Sequence, residues 1–189
     1  MRKNVKLLVF VVMILTLTIV LMTSCSESGL TNPEVSENQG IPASEIRFLE
    51  WSPNVIENMK SLNKTVVSEK VFTQAGGELA TSDMFGCKLT IPANAFNDTE
   101  RLIQAHILSD DGNLASIDFL PSQQFTKNVS IVLPFSALKI EDDEVSKLRA
   151  FWFNEETNLW VEIPEVDIDE ANQQATAKID HFTRFGWGF

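Results

Sequence analysis

Leu148-Arg149-Ala150-Phe151-Trp152-Phe153-Asn154, followed by Glu155-Glu156-Thr157-Asn158 and then Leu159-Trp160-Val161-Glu162-Ile163-Pro164, is the stretch that decides the fold. Two short runs rich in aromatic and branched side chains flank four polar residues. That is the pattern of two antiparallel strands joined by a tight loop. The same two-residue period appears on both sides of it. Upstream, Ile103, Ala105 and Ile107 share one face of RLIQAHIL, with Gln104 and His106 opposite. Val129, Ile131 and Leu133 share one face of NVSIVLP. Downstream, Ala175, Ala177, Ile179 and His181 fall on one side of ATAKIDHF. A period of two is the mark of a strand with one buried face.

TVVSEKVFT (65–73), FGCKLTI (85–91) and IDFLP (117–121) bring the expected count to seven or eight strands, with no long helix and no internal repeat. The expected fold is therefore all-β, two antiparallel sheets packed face to face. A closed barrel is the alternative. Residues 44–69 contain Trp51, Pro53 and a short helical stretch from Asn54 to Met59. They are expected as an extension packing loosely on a domain spanning 70–189. Residues 25–43 are polar, rich in Gly, Pro, Ser and Asn, and read as a flexible linker.

The first 24 residues follow the grammar of an export signal. A basic MRKNVK precedes an apolar run from Leu7 to Met22, shorter than the ~20 residues that span hydrocarbon comfortably. The alternatives are an uncleaved membrane helix and a secretory peptide cut elsewhere. The string LMTSC, with small residues directly before Cys25, resembles the bacterial lipobox. The resemblance implies removal of residues 1–24 and attachment of lipid, diacylglycerol and then a further acyl chain such as palmitate, to Cys25. Two or three chains anchor stably where one holds weakly. Ser26 resembles the residue that directs such proteins to the outer membrane. The expected partner is thus a membrane, with an envelope protein or saccharide beyond it.

The chain carries 15 basic and 26 acidic residues, and losing Arg2, Lys3 and Lys6 with the leader leaves 12 against 26. So acidic a body repels phosphate backbones, which sets nucleic acid aside. Acidity by itself serves solubility. If Cys25 carries lipid, Cys87 has no disulfide partner, and its place opposite Lys88 and Thr90 points it into the core as a small hydrophobe. His106 and His181 lie on different expected strands with no cysteine pair or HExxH, so no transition-metal site is expected. The acidic runs at 110–111, 141–144 and 167–170 match no calcium loop and read as solvated turns. No cofactor motif is present.

A further resemblance covers residues 70–187. Gly76-Gly77-Glu78-Leu79, Leu89-Thr90-Ile91-Pro92-Ala93-Asn94-Ala95-Phe96, Phe119-Leu120-Pro121, Val132-Leu133-Pro134, Trp160 and the ending His181-Phe182-Thr183 resemble, in order and spacing, the "ZU-five" domain of ankyrins, netrin receptors and zonula occludens proteins. That family is mostly made of scaffolds for protein contacts. Asn94 stands where the family has a turn glycine, and asparagine tolerates a left-handed backbone. Some relatives cleave themselves before the last residue of the motif. Carried over, the resemblance implies that Thr183 attacks the carbonyl of Phe182 with His181 as base. The other reading is that these residues simply pack at a strand end. The closing RFGWGF, with two glycines, leaves Trp187 and Phe189 either docked on the sandwich or exposed as a contact for a ligand or partner. The expected role is a lipid-anchored, non-catalytic interaction or scaffold module. A carbohydrate or peptide receptor, and a self-cleaving domain, are the alternatives.

Overall fold

The computed structural model describes residues 40–62, 66–108 and 114–189. The leader, Cys25, the linker up to residue 39 and the acidic turn at 110–113 lie outside them. The described residues form eleven strands: β1 (Val66–Thr73), β2 (Gly77–Leu79), β3 (Lys88–Ile91), β4 (Glu100–Leu108), β5 (Ser116–Leu120), β6 (Gln124–Pro134), β7 (Arg149–Asn154), β8 (Leu159–Glu162), β9 (Val166–Asp169), β10 (Gln174–His181) and β11 (Arg184–Gly188). One α-helix, α1 (Pro53–Leu62), precedes them. The strands build a six-stranded sheet in the order β1-β4-β5-β11-β7-β8 and a five-stranded sheet in the order β2-β3-β6-β10-β9. Every pairing is antiparallel. The all-β sandwich expected from the sequence is present, and the barrel alternative is not.

Alternation explains the core. Ala175, Ala177 and Ile179 of β10 pair with Leu133, Ile131 and Val129 of β6, small against large. Ile103, Ala105, Ile107, Ile117 and Phe119 face them from the other sheet, all at 1% exposure or less. Removing such surface from water stabilises by roughly 25 cal/mol per Å². Cys87 joins this core, and burial pushes its thiol up to about 12, so it stays protonated and inert. Asn94 has φ 58°, in the left-handed region that asparagine tolerates.

Three strands go beyond the sequence expectation, and β11 changes the picture most. RFGWGF is neither a loose end nor a docked appendage. It lies in the middle of the six-stranded sheet, between β5 and β7. Phe185 and Trp187 are buried in the main core.

The segment before β1 is equally integral, which corrects the expectation of loose packing. Residues 40–43, expected as the end of the flexible linker, instead join residues 44–52 in a strap across the sheet, because Ile41 pairs with the edge strand β8. Ile41 exchanges both backbone hydrogen bonds with Trp160 on β8, at 2.6 and 2.9 Å. Where β5 stops pairing with β11, the strap takes its place. The Leu49 N–H donates to the Trp187 carbonyl at 2.8 Å, and Arg47 and Phe189 exchange N–H and carbonyl bonds. Phe48 lands on the outer face, where it packs against Phe151 and Trp160 at ring distances of 5.9 and 4.8 Å. With Ile46 and Phe153 these form a second, smaller hydrophobic cluster. The two glycines of RFGWGF now have a cause. A Cβ on Gly188 would stand 2.8 Å from the Arg47 carbonyl oxygen, and one on Gly186 would stand 3.1 Å from the Phe48 ring. The inward residues Leu49, Trp51, Val55 and Met59 carry the strap and α1 into the main core. The expected boundary at 69/70 thus falls inside β1.

Candidate functional site

Two of the chain's crossings between the sheets run side by side at one end of the sandwich. Residues 121–123 lead from β5 to β6, and Phe182-Thr183 lead from β10 to β11. Hydrogen bonds sew these two crossings together. The Phe182 N–H donates to the Gln123 carbonyl at 2.8 Å, and the Phe119 N–H donates to the Thr183 carbonyl at 3.3 Å. The Ser122 hydroxyl donates to the Phe182 carbonyl at 3.0 Å. Phe182 itself is fully buried, stacked on Phe119 and edge-on to Phe125. The His-Phe-Thr sequence is therefore the pin of a corner. An aromatic ring enters the core while the backbone on either side changes sheets.

The groups named for self-cleavage lie next to one another here, but their bonds run elsewhere. The Thr183 hydroxyl donates to the Phe153 carbonyl on β7 at 2.8 Å. His181 Nδ1 bonds the Asp180 carboxylate at 2.7 Å, and the imidazole stands edge-on to Trp152 with centroids 4.5 Å apart. The left-handed non-glycine residues among those described are Phe85, Asn94, Asn158 and Gln173, none of them at this bond. The position of His181 also departs from the alternation read in the sequence. The β10–β6 register shifts between Ile179 and His181, which turns the imidazole out of the core to the mouth of the sandwich.

Beside that corner the sheets diverge into a cleft with two hollows. One, of about 210 Å³, is lined by Asn128, Glu162, Glu165, Lys178 and Asp180 among others. The other, of about 370 Å³, is lined by Ser122, Gln124, Asn154, Glu155 and Glu156 among others. Trp152 and His181 line both, as a ridge between them. The chain has four tryptophans. Trp51, Trp160 and Trp187 are buried, whereas Trp152 keeps part of its surface open at this ridge. The sequence grouped Trp152 with Phe151, Phe153 and Trp160. Alternation along β7 separates them, sending Phe151 and Phe153 to the strap and Trp152 to the cleft.

The cleft is acidic. On the smaller side each charged group has a partner. Lys178 pairs with Glu165 at 3.1 Å, Glu162 with Arg149 at 3.2 Å, and Asp180 with His181. The hydrogen bond from His181 holds the Asp180 carboxyl below the ordinary carboxylate range. On the outer face nearby, Asp118 lies between His106 on β4 and Arg184 on β11. Burial raises its carboxyl above the ordinary range, against the pull of Arg184 and His106. Among the described residues no three His, Cys, Asp or Glu side chains are arranged to hold a metal ion.

Of the two aromatics left open as contacts, Trp187 is enclosed at 0% exposure and presents nothing to a partner. Burial follows from its inward position on a central strand. Phe189 is half-buried, with the Arg47 guanidinium 4.2 Å above its ring. Cys25 lies outside the described residues. The sequence reading missed Trp152, Glu155 and Glu156 as cleft residues.

Comparison with known families and with curated proteins gives no match. The likeness to ZU-five domains thus rests on the residues quoted for it.

Proposed function

We propose that this chain is a lipid-anchored, non-catalytic binding module of the bacterial cell envelope, tethered through Cys25 to the outer membrane and meeting its partner at the Trp152–His181 cleft. One observation carries the choice of surface. Trp152 alone among the four tryptophans is not fully buried: it packs against the main core and keeps part of its surface open between two hollows. A partly open tryptophan in a concave setting is a usual anchor of a recognition site. The LMTSC string supports the anchor, and the ZU-five likeness supports a scaffold role.

Two measurements test this. Globomycin treatment should accumulate the form retaining residues 1–24, and mass spectrometry should find acyl groups on Cys25. A protein free of acyl groups and soluble without detergent would remove the anchor. A photo-crosslinker at position 157, on the β7–β8 turn, should join the protein to one discrete envelope component in living cells. Absence of any adduct would remove the binding role.

A further inference from the structure

The ligand class at this cleft is open to an argument from charge. The larger hollow is bordered by Glu155 and Glu156, both exposed on the turn between β7 and β8. Among the described residues neither carboxylate takes part in an ion pair. No lysine or arginine lines this hollow. The other polar residues lining it are Ser122, Gln124, Asn154, His181 and Thr183. The imidazole is turned to Asp180, the Ser122 and Thr183 hydroxyls donate to backbone carbonyls, and Asn154 Oδ1 accepts from the Glu156 and Thr157 N–H groups. The hydroxyl and amide oxygens keep lone pairs for a further donor. Trp152 forms one wall, and an indole face attracts a cation through its quadrupole. The smaller hollow across the ridge differs, because Lys178 and Arg149 already answer Glu165 and Glu162 there, while His181, shared by both hollows, is paired with Asp180.

We propose that the hollow bordered by Glu155, Glu156 and Trp152 takes an arginine or lysine side chain from a protein partner. The proposal rests on the reading of the cleft as the partner surface. The two unanswered carboxylates provide the charge, and the indole provides a flat wall for the side chain's stem or guanidinium. At about 370 Å³ the hollow is at the small end of the range for ligand sites, which suits one long side chain of a larger partner. Anionic ligands are disfavoured by the same carboxylates.

The test uses the full chain in non-ionic detergent with three calorimetric probes: a short peptide of alternating glycine and arginine, its glutamate counterpart, and a neutral chito-oligosaccharide. The arginine peptide should bind, more weakly as salt rises, and the glutamate peptide should not. In Glu155→Gln/Glu156→Gln its affinity should fall about ten-fold, since two charges close to one cation are removed. Asp142→Asn/Asp143→Asn removes the same net charge from a different turn and should change affinity by less than about two-fold. Trp152→Ala should weaken binding and Trp152→Phe should restore part of it. Thermal melts of each variant establish that it is folded. Equal losses in the two double variants would trace binding to the acidic body as a whole and overturn the proposal. Binding of the oligosaccharide with none of the arginine peptide would overturn it in favour of a saccharide. A discrete cellular crosslink at position 157 without arginine binding would overturn the ligand class alone, whereas no crosslink at all would take away the binding-module reading beneath it.

Discussion

Gly188→Ala separates the strap's steric demand from every other reason for a glycine on β11. The backbone of Gly188 is not in the left-handed region, so alanine meets no conformational barrier there. On an open strand the change would stabilise by about 0.4–1 kcal/mol, because alanine loses less freedom on folding. The structure predicts the opposite sign. The new Cβ would lie 2.8 Å from the Arg47 carbonyl oxygen and 3.1 Å from both the Phe48 Cα and the Ile46 Cγ2. Two of those three atoms belong to the backbone and cannot rotate away, so the strap must lift. Overpacking of this kind costs about 1–3 kcal/mol. Set against the gain in chain entropy, a net loss of about 1–2 kcal/mol is expected. For a chain of this size that lowers the melting temperature by about 2–8 °C. Circular dichroism melts of both proteins in the same detergent measure it. Hydrogen exchange should show faster loss from the Leu49 amide, which is bonded to Trp187 across the junction. A variant that melts at or above the parent, with the Leu49 amide still protected, would refute the placement of the strap.

Trp187→Ala should cost about 3–5 kcal/mol, as for other fully buried large aromatics, while the half-open Trp152→Ala should cost much less in a urea titration. Thr183→Val removes the bond to the Phe153 carbonyl and leaves that acceptor unanswered, for a loss of about 1–2 kcal/mol that Thr183→Ser should largely restore. Intact mass of the purified parent should show no loss of residues 183–189; a species lacking them would restore the cleavage chemistry. Asp118 has a raised carboxyl in the folded state, so its contribution is fully present below the ordinary carboxylate value of 3.8 and is lost as pH rises through the raised one. Asp118→Asn should therefore melt higher than the parent at pH 7, with the gap closing at pH 3; a gap that widens on acidification would contradict this. Asp180 is lowered, so its stabilisation is present above the ordinary value and disappears as pH falls through the lowered one. Asp180→Asn should cost stability at pH 7 and nothing at very low pH.

The strands that obey a clean alternation were legible because each has one face in the core and one outside. β11 was not, since both of its outward positions opposite the strap are glycine, and the need for glycine comes from a segment some 140 residues earlier, beyond any local pattern. β9 reads Val166-Asp167-Ile168-Asp169, and its alternating acids look like a solvated turn until its pairing with β10 is seen. Trp51, Val55 and Met59 do recur at helical spacing, but a neighbouring proline and charged residues obscured the stripe. The cleft shows the same division. His181 was visible in sequence as part of a motif, whereas its outward turn depends on a register break with β6 that no residue of β10 announces. Trp152 could be placed only once the strap was known to claim Phe151 and Phe153.

The pairing of Arg47, Phe48 and Leu49 with β11 joins residues that are about as far apart in the chain as the described body allows. Neither the outer aromatic cluster nor the six-stranded sheet closes until residues 184–188 are in hand. Contacts of such long sequence separation are slow to form, because loop entropy is lost before any packing repays it. A partly made chain would hold β7 and β8 together but leave β5 with no neighbour on that side. A polypeptide built this way stays short of its final shape until its last strand is available to the strap.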